Sequence, residues 1–188
     1  MKNSTIARPR HRWLAAATAL VVTGTVVASA ARSSALGESD IAQARAATAD
    51  YHRVEAAEAA GYGLPSAGPL HECISSLDGM GAMGYHWING TLASDDVLDA
   101  AAPEALVYEP ESNGGLRLVA LEFVVFKSVW EASHTGVPVL FGRPLKLIEA
   151  PNRYSVPSFY EVHVWTGKHN PDGMFADHNP LVSCEFGS

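Results

Sequence analysis

Glu122 stands inside an otherwise apolar run, Leu116 to Phe126, reading Leu-Arg-Leu-Val-Ala-Leu-Glu-Phe-Val-Val-Phe. That composition suits a strand buried on both faces, where an unpaired carboxylate costs several kcal/mol or takes up a proton. Glu122 therefore needs a partner. Two histidines alternate with apolar residues as Glu122 does: His86, after Met80 and Met83 in Gly-Met-Gly-Ala-Met-Gly-Tyr-His, and His163 in Glu-Val-His-Val-Trp. Two imidazoles and one carboxylate converging from three strands would bind a single divalent ion, Fe, Mn, Zn or Cu, with coordination positions left open. His178, near the C-terminus, would supply a fourth ligand. The competing reading is a metal-free binding or interaction module. There Glu122 pairs with Arg143, Arg153 or Arg117, His163 bonds Glu161 or backbone, and the polar cluster lines a small-ligand pocket. One distance separates them: ligands of a shared ion must lie within about 3 to 4 Å of one another, whereas an arginine in that space decides for the second.

Other chemistries find less support. The chain has no G-x-S-x-G, H-E-x-x-H, C-x-x-C, P-loop or G-x-G-x-x-G motif. Met80, Met83, His86 and Met174 compose a soft donor set suited to copper, but methionines between glycines serve more often as adaptable packing. Asp172, Asp177 and Asn179 lack the spacing of a calcium loop. No residue marks an activated serine nucleophile. Whether the chain is an enzyme stays open at this point.

The elements that must position these side chains follow from periodicity. Ser39 can cap a helix from about Asp40 to Ala60, stopped by Gly61, with Ile41, Ala44, Thr48, Tyr51 and Val54 as its apolar stripe. From about Leu70 the chain turns to strands. Tyr85 to Ile88 is one, ending at the turn signal Asn89-Gly90, and Asp95 to Pro103 is an acidic connection with room for a helical turn. Ala105 to Glu109, the turn Asn113-Gly114-Gly115 and Leu116 to Phe126 form a hairpin. A strict two-residue period puts Leu118, Ala120, Glu122 and Val124 on one face of its second strand. Val137 to Phe141, Leu145 to Ile148 and Phe159 to Trp165 are further strands, the last with Glu161, His163 and Trp165 on one face. The predicted fold class is α+β: an N-terminal helix packed on a largely antiparallel sheet that forms a sandwich or partial barrel.

Residues 1–30 read as a signal peptide. Lys2, Arg8, Arg10 and Arg12 precede an uncharged run from Trp13 to Val27 and the small-residue site Ala28-Ser29-Ala30. Residues 31–69 are then leader and helix, and residues 70–188 the β-rich part of the same single domain. Those thirty residues hold four of the 13 Lys and Arg and no acid, so the rest carries 9 cations against 20 Asp and Glu, a net charge of −11. The excess of acid argues against nucleic acid as a partner; a metal ion or small molecule stays open. After cleavage no stable membrane span remains, which places the protein as secreted, periplasmic or on the cell-envelope exterior; the alternative is an apolar run kept uncleaved as an anchor. Export to an oxidising compartment makes Cys73 and Cys184 a disulfide.

Several stretches together resemble a family of uncharacterised secreted bacterial proteins. They are Gly81 to Asn89, Pro103 to Pro110, Leu116 to Glu122, Glu161 to Trp165, Asn170 to Ala176 and Val182-Ser183-Cys184. The resemblance covers about Ala47 to Cys184 and implies export and the domain limits, but no activity. Where members often have a bulky residue before the asparagine, this chain has His178.

Overall fold

A computed structural model describes residues 37–187 of the chain, so the signal-peptide expectation lies outside the described residues. The centre of the fold is a curled antiparallel sheet, half a barrel, with strand order β1-β2-β3-β4-β8-β7. Its strands are β1 (Ile74–Ser75), β2 (Ala82–Ile88), β3 (Ala105–Pro110), β4 (Leu116–Phe126), β7 (Lys146–Ile148) and β8 (Phe159–Val164), and a two-stranded ribbon joins β5 (Val139–Leu140) to β6 (Arg143–Pro144). Few helices accompany it. The hairpin expected from Asn113-Gly114-Gly115 joins β3 to β4. Gly114 takes φ +81°, the Glu111 amide donates to the Gly115 carbonyl, and the Gly115 amide donates to the Asn113 side chain at 2.7 Å.

One register detail departs from the two-residue period. Val107 opposes Ala120, but Tyr108 opposes Leu118, so Val119 is the extra residue of a β-bulge. Its carbonyl turns to accept the amides of Gly167 and Lys168 instead. Leu118 therefore joins the cluster of Leu121, Phe123 and Val125, while Val119 joins Ala120 on the opposite face. The bulge leaves Glu122 on the expected face and corrects only what lies before it.

The expected helix from Asp40 to Ala60 is in pieces. Residues 37–47 are helical (α1), with Ser39 inside rather than capping; Ala49–His52 is a 3-10 turn, and Val54–Ala59 is a second helix, α2. Thr48 donates its hydroxyl back to the Ala44 carbonyl at 2.7 Å, and Tyr108 from the sheet donates to the Tyr51 carbonyl at 2.6 Å, taking over a helix acceptor. Arg53 is extended and begins α2. Gly61 ends it at φ +90° as expected. Ala44 and Ala57 are buried and Ile41, Tyr51 and Val54 pack beside them against Trp87, Tyr108 and Leu121, the same stripe that the spacing marks.

Two short helices differ from the sequence reading. The helical turn sits at Leu92–Ser94, just before the acidic connection, because the Asn89 side chain accepts the amides of Thr91 and Leu92. A helix α3 (Lys127–Ser133) follows β4, secured by the Lys127–Glu131 pair one turn apart and by Trp130, whose indole donates to the Gly136 carbonyl.

The segment from residue 166 onward closes over the sheet face that bears Glu122. The Trp165 indole donates to the Ala176 carbonyl at 2.6 Å, Ala82 and Asn179 exchange backbone hydrogen bonds, and Cys73 is disulfide-bonded to Cys184, 111 residues on. Gly81 makes this closure possible: it has φ +90°, and a Cβ there would lie 2.1 Å from the Asn179 carbonyl oxygen. Gly81→Ala should cost about 1 to 3 kcal/mol from backbone strain alone, read as a lowered thermal midpoint; an unchanged midpoint would mean that the segment does not press there. Among the described residues no helix is long and apolar enough to cross a membrane. The disulfide fits an oxidising, extracytoplasmic compartment.

Candidate metal centre

His86, Glu122 and His163 come from β2, β4 and β8. Glu122 and His163 are direct cross-strand partners, so their approach follows from pairing alone. His86 is different, because β3 lies between β2 and β4 and neighbouring strands are about 4.8 Å apart. On a flat sheet the His86 and His163 backbones would stand three strand spacings apart, yet their Nε2 atoms are 3.4 Å apart. Curl makes the difference, and the short side chain of Ala105, opposite Glu122 on the intervening strand, leaves room beside the carboxylate. The rings meet nearly edge to face at 89°, and Trp165 stacks beside His163.

The remaining distances complete a small triangle. His86 Nε2 lies 3.5 Å from Glu122 Oε2 and His163 Nε2 lies 3.8 Å from Glu122 Oε1. Ligands about 2.1 Å from an ion at tetrahedral angles stand about 3.4 Å apart. All three side chains are buried, at 2%, 8% and 1% exposure. The arginines of the competing reading are engaged elsewhere. Arg117 donates to the Gly167 carbonyl, Arg153 donates to the Ser75 carbonyl, and Arg143 lies over the Phe175 ring.

A second constellation shares His163 and adds Glu161 and Asp177. Glu161 was legible as the same-face neighbour of His163, and Asp177 as a loop acid, but nothing in the sequence joined them. Lys146 pairs with Asp177 and lies 4.0 Å from Glu161, placing a cation of the chain's own at the rim. His178 falls outside both constellations, while its backbone carbonyl accepts the Asn170 side chain and its Nε2 is buried without a hydrogen-bond partner among the described residues. The soft donor set is dispersed: Met80 is exposed, Met174 packs on the opposite face, and Met83 meets the Tyr154 hydroxyl through its sulfur at 3.8 Å.

Burial dominates the electrostatics. It lowers the pKa of both His86 and His163 to about 3, helped at His86 by the neighbouring imidazole and at His163 by His178, so both rings are neutral with lone pairs to offer. Burial, then the Glu161 charge beside it, holds the Glu122 carboxyl well above the usual carboxylate range, and burial raises Glu161 to about 7. The Nδ1 atoms of both histidines and Glu161 Oε2 have no hydrogen-bond partner in good geometry among the described residues. Left to itself the cluster is thus a proton-loaded, incompletely bonded polar group in a buried position. A divalent ion would reverse that by favouring ionised carboxylates and using the imidazole lone pairs.

Glu104, which the sequence did not single out, is buried nearby and accepts the Val124 amide at 2.9 Å. Burial raises its pKa from 4.5 to about 8. The unfolded chain ionises this carboxyl above pH 4.5 while the folded one keeps its proton, so stability falls as pH rises to about 8 and levels off beyond. Glu104→Gln keeps an acceptor for Val124 and removes that loss. Its thermal midpoint should gain on wild type progressively between these pH values; a difference independent of pH would contradict the assignment.

No family model, curated protein or solved structure matches the chain, so the chemistry of this site has to be read from its own geometry.

Proposed function

We propose that this chain is an exported protein that binds one divalent metal ion through His86, Glu122 and His163, with Glu161 and Asp177 beside them. The observation that carries the reading is the buried triangle of two Nε2 atoms and a carboxylate, 3.4, 3.5 and 3.8 Å on its edges. Two imidazoles with a hard carboxylate suit Fe(II), Mn(II), Zn(II) or Cu(II) and leave positions free for water or a small molecule. Export is supported by the basic and apolar leader of residues 1–30, by the disulfide, and by the resemblance to secreted bacterial proteins. An N-terminal helix packed on a sheet that approaches a partial barrel is the scaffold such a site needs, since a flat sheet would keep His86 away from His163.

A metal-free small-ligand module is the second reading. It is favoured by an apolar pocket above the cluster, in which a protonated Glu122 would serve as hydrogen-bond donor. Elemental analysis after loading with each of the four metals separates the two. The metal reading expects about one equivalent in wild type and loss in both His86→Ala and His163→Ala. Absence of bound metal under all four loadings would leave the metal-free module.

A further inference from the structure

The cluster is not sealed. A pocket of about 90 Å³ opens directly above it, and its floor includes His86, Glu122 and Glu104. Its walls are made by Ile88, Val124, Phe126, Val156 and Phe159. Tyr154 stands at one side, its hydroxyl directed to the Met83 sulfur. Resting on the metal reading above, we propose that this pocket admits a small neutral molecule, an apolar body carrying one hydroxyl, and that the hydroxyl oxygen reaches the metal.

Three features of the pocket select that class. Its volume exceeds the roughly 15 Å³ that a single water needs and is smaller than the ~150 Å³ apolar cavity that encloses benzene. A single ring or short branched chain is therefore the upper size, with part of it at the mouth. Apart from the Tyr154 hydroxyl, which is directed to the Met83 sulfur, the walls offer hydrocarbon and aromatic edges, so oxygen-rich compounds such as sugars would lose most of their hydration uncompensated. Finally, the pocket offers no fixed cation to an anionic guest: among the described residues no lysine or arginine lines it. A carboxylate or phosphate entering it would give up its hydration to apolar walls with only the metal to answer, whereas an alcohol or phenol arrives neutral. The single polar end of such a molecule matches the single polar end of the pocket.

The geometry also assigns positioning roles. Val156 lies on the loop between β7 and β8, outside the metal triangle, and forms wall only. Filling the space it borders should obstruct the guest while leaving His86, Glu122 and His163 in place.

The test uses the purified protein loaded with Co(II), whose visible absorption reports its coordination. Phenol, benzoate and benzene are titrated in turn, with Val156→Trp as the blocked control. Phenol should alter the Co(II) bands saturably, while benzoate and benzene should leave them unchanged. In Val156→Trp, Co(II) should still bind but the phenol response should weaken by roughly tenfold or more, as expected when a bulky side chain fills the volume. If Co(II) binds and its bands ignore phenol, respond equally to benzoate, or respond equally in Val156→Trp, the pocket assignment is overturned and the metal site stands. If Co(II) does not bind at all, the metal site itself is overturned and this inference falls with it.

Discussion

Glu122→Gln is expected to act in two opposite directions, weakening divalent-metal binding by about a hundredfold or more while raising the thermal stability of the metal-free protein at neutral pH. The amide keeps the shape of the carboxyl and can still hydrogen-bond, but it offers the metal neither negative charge nor a strong oxygen donor. Without metal, that charge is a burden. Burial, followed by the Glu161 charge, raises the Glu122 pKa well above its ordinary value. Folding must then keep a proton that the unfolded chain gives up, and the cost grows as pH rises above the usual carboxylate range. The advantage of the glutamine should accordingly be smallest in acid and largest in mild alkali. Added zinc stabilises whichever protein binds it, so the order of the two melting temperatures should reverse: variant above wild type without zinc, wild type above variant with it. Melting temperatures that keep one order with and without zinc would show that Glu122 is not a ligand.

The second large effect is expected from removing the disulfide. Cys73→Ser combined with Cys184→Ser frees a loop whose ends are 111 residues apart, for which chain entropy alone gives roughly 5 kcal/mol. That is a large share of the 5 to 15 kcal/mol typical of a folded domain, so the denaturant midpoint should fall steeply. Metal affinity should fall less than in Glu122→Gln. The segment from residue 166 would be loosened at its end, but Asn179 still exchanges backbone hydrogen bonds with Ala82, and the Trp165 indole still holds the Ala176 carbonyl. An unchanged midpoint would mean that the closing segment is held by those contacts alone.

The three residues of the candidate centre were legible because each sits in a strand whose apolar neighbours reveal its direction. Alternation in Glu-Val-His-Val-Trp gave the face of His163, and the run around Glu122 announced a buried acid. What alternation could not supply is the third dimension. The meeting of His86 with His163 depends on the curl of the sheet across β3, which no local pattern encodes. The bulge at Val119 was hidden for a related reason: it is set by pairing with β3 and by the amides of Gly167 and Lys168, so a two-residue count runs through it unaware. The break in the N-terminal helix has the same origin. Its stripe was right, but a distant tyrosine, Tyr108, takes one of its carbonyls. Glu104 and Asp177 were missed as neighbours of the site because their positions come from connections, where sequence periodicity is silent.

X-ray absorption at the edge of zinc loaded into the wild-type protein tests the central claim most directly. The triangle predicts a first shell containing two imidazole nitrogens and carboxylate oxygen at about 2.0 to 2.2 Å, with the outer-shell scattering characteristic of histidine rings. A shell of oxygen alone, with no imidazole signature, would place the zinc elsewhere and contradict a centre built on His86, Glu122 and His163.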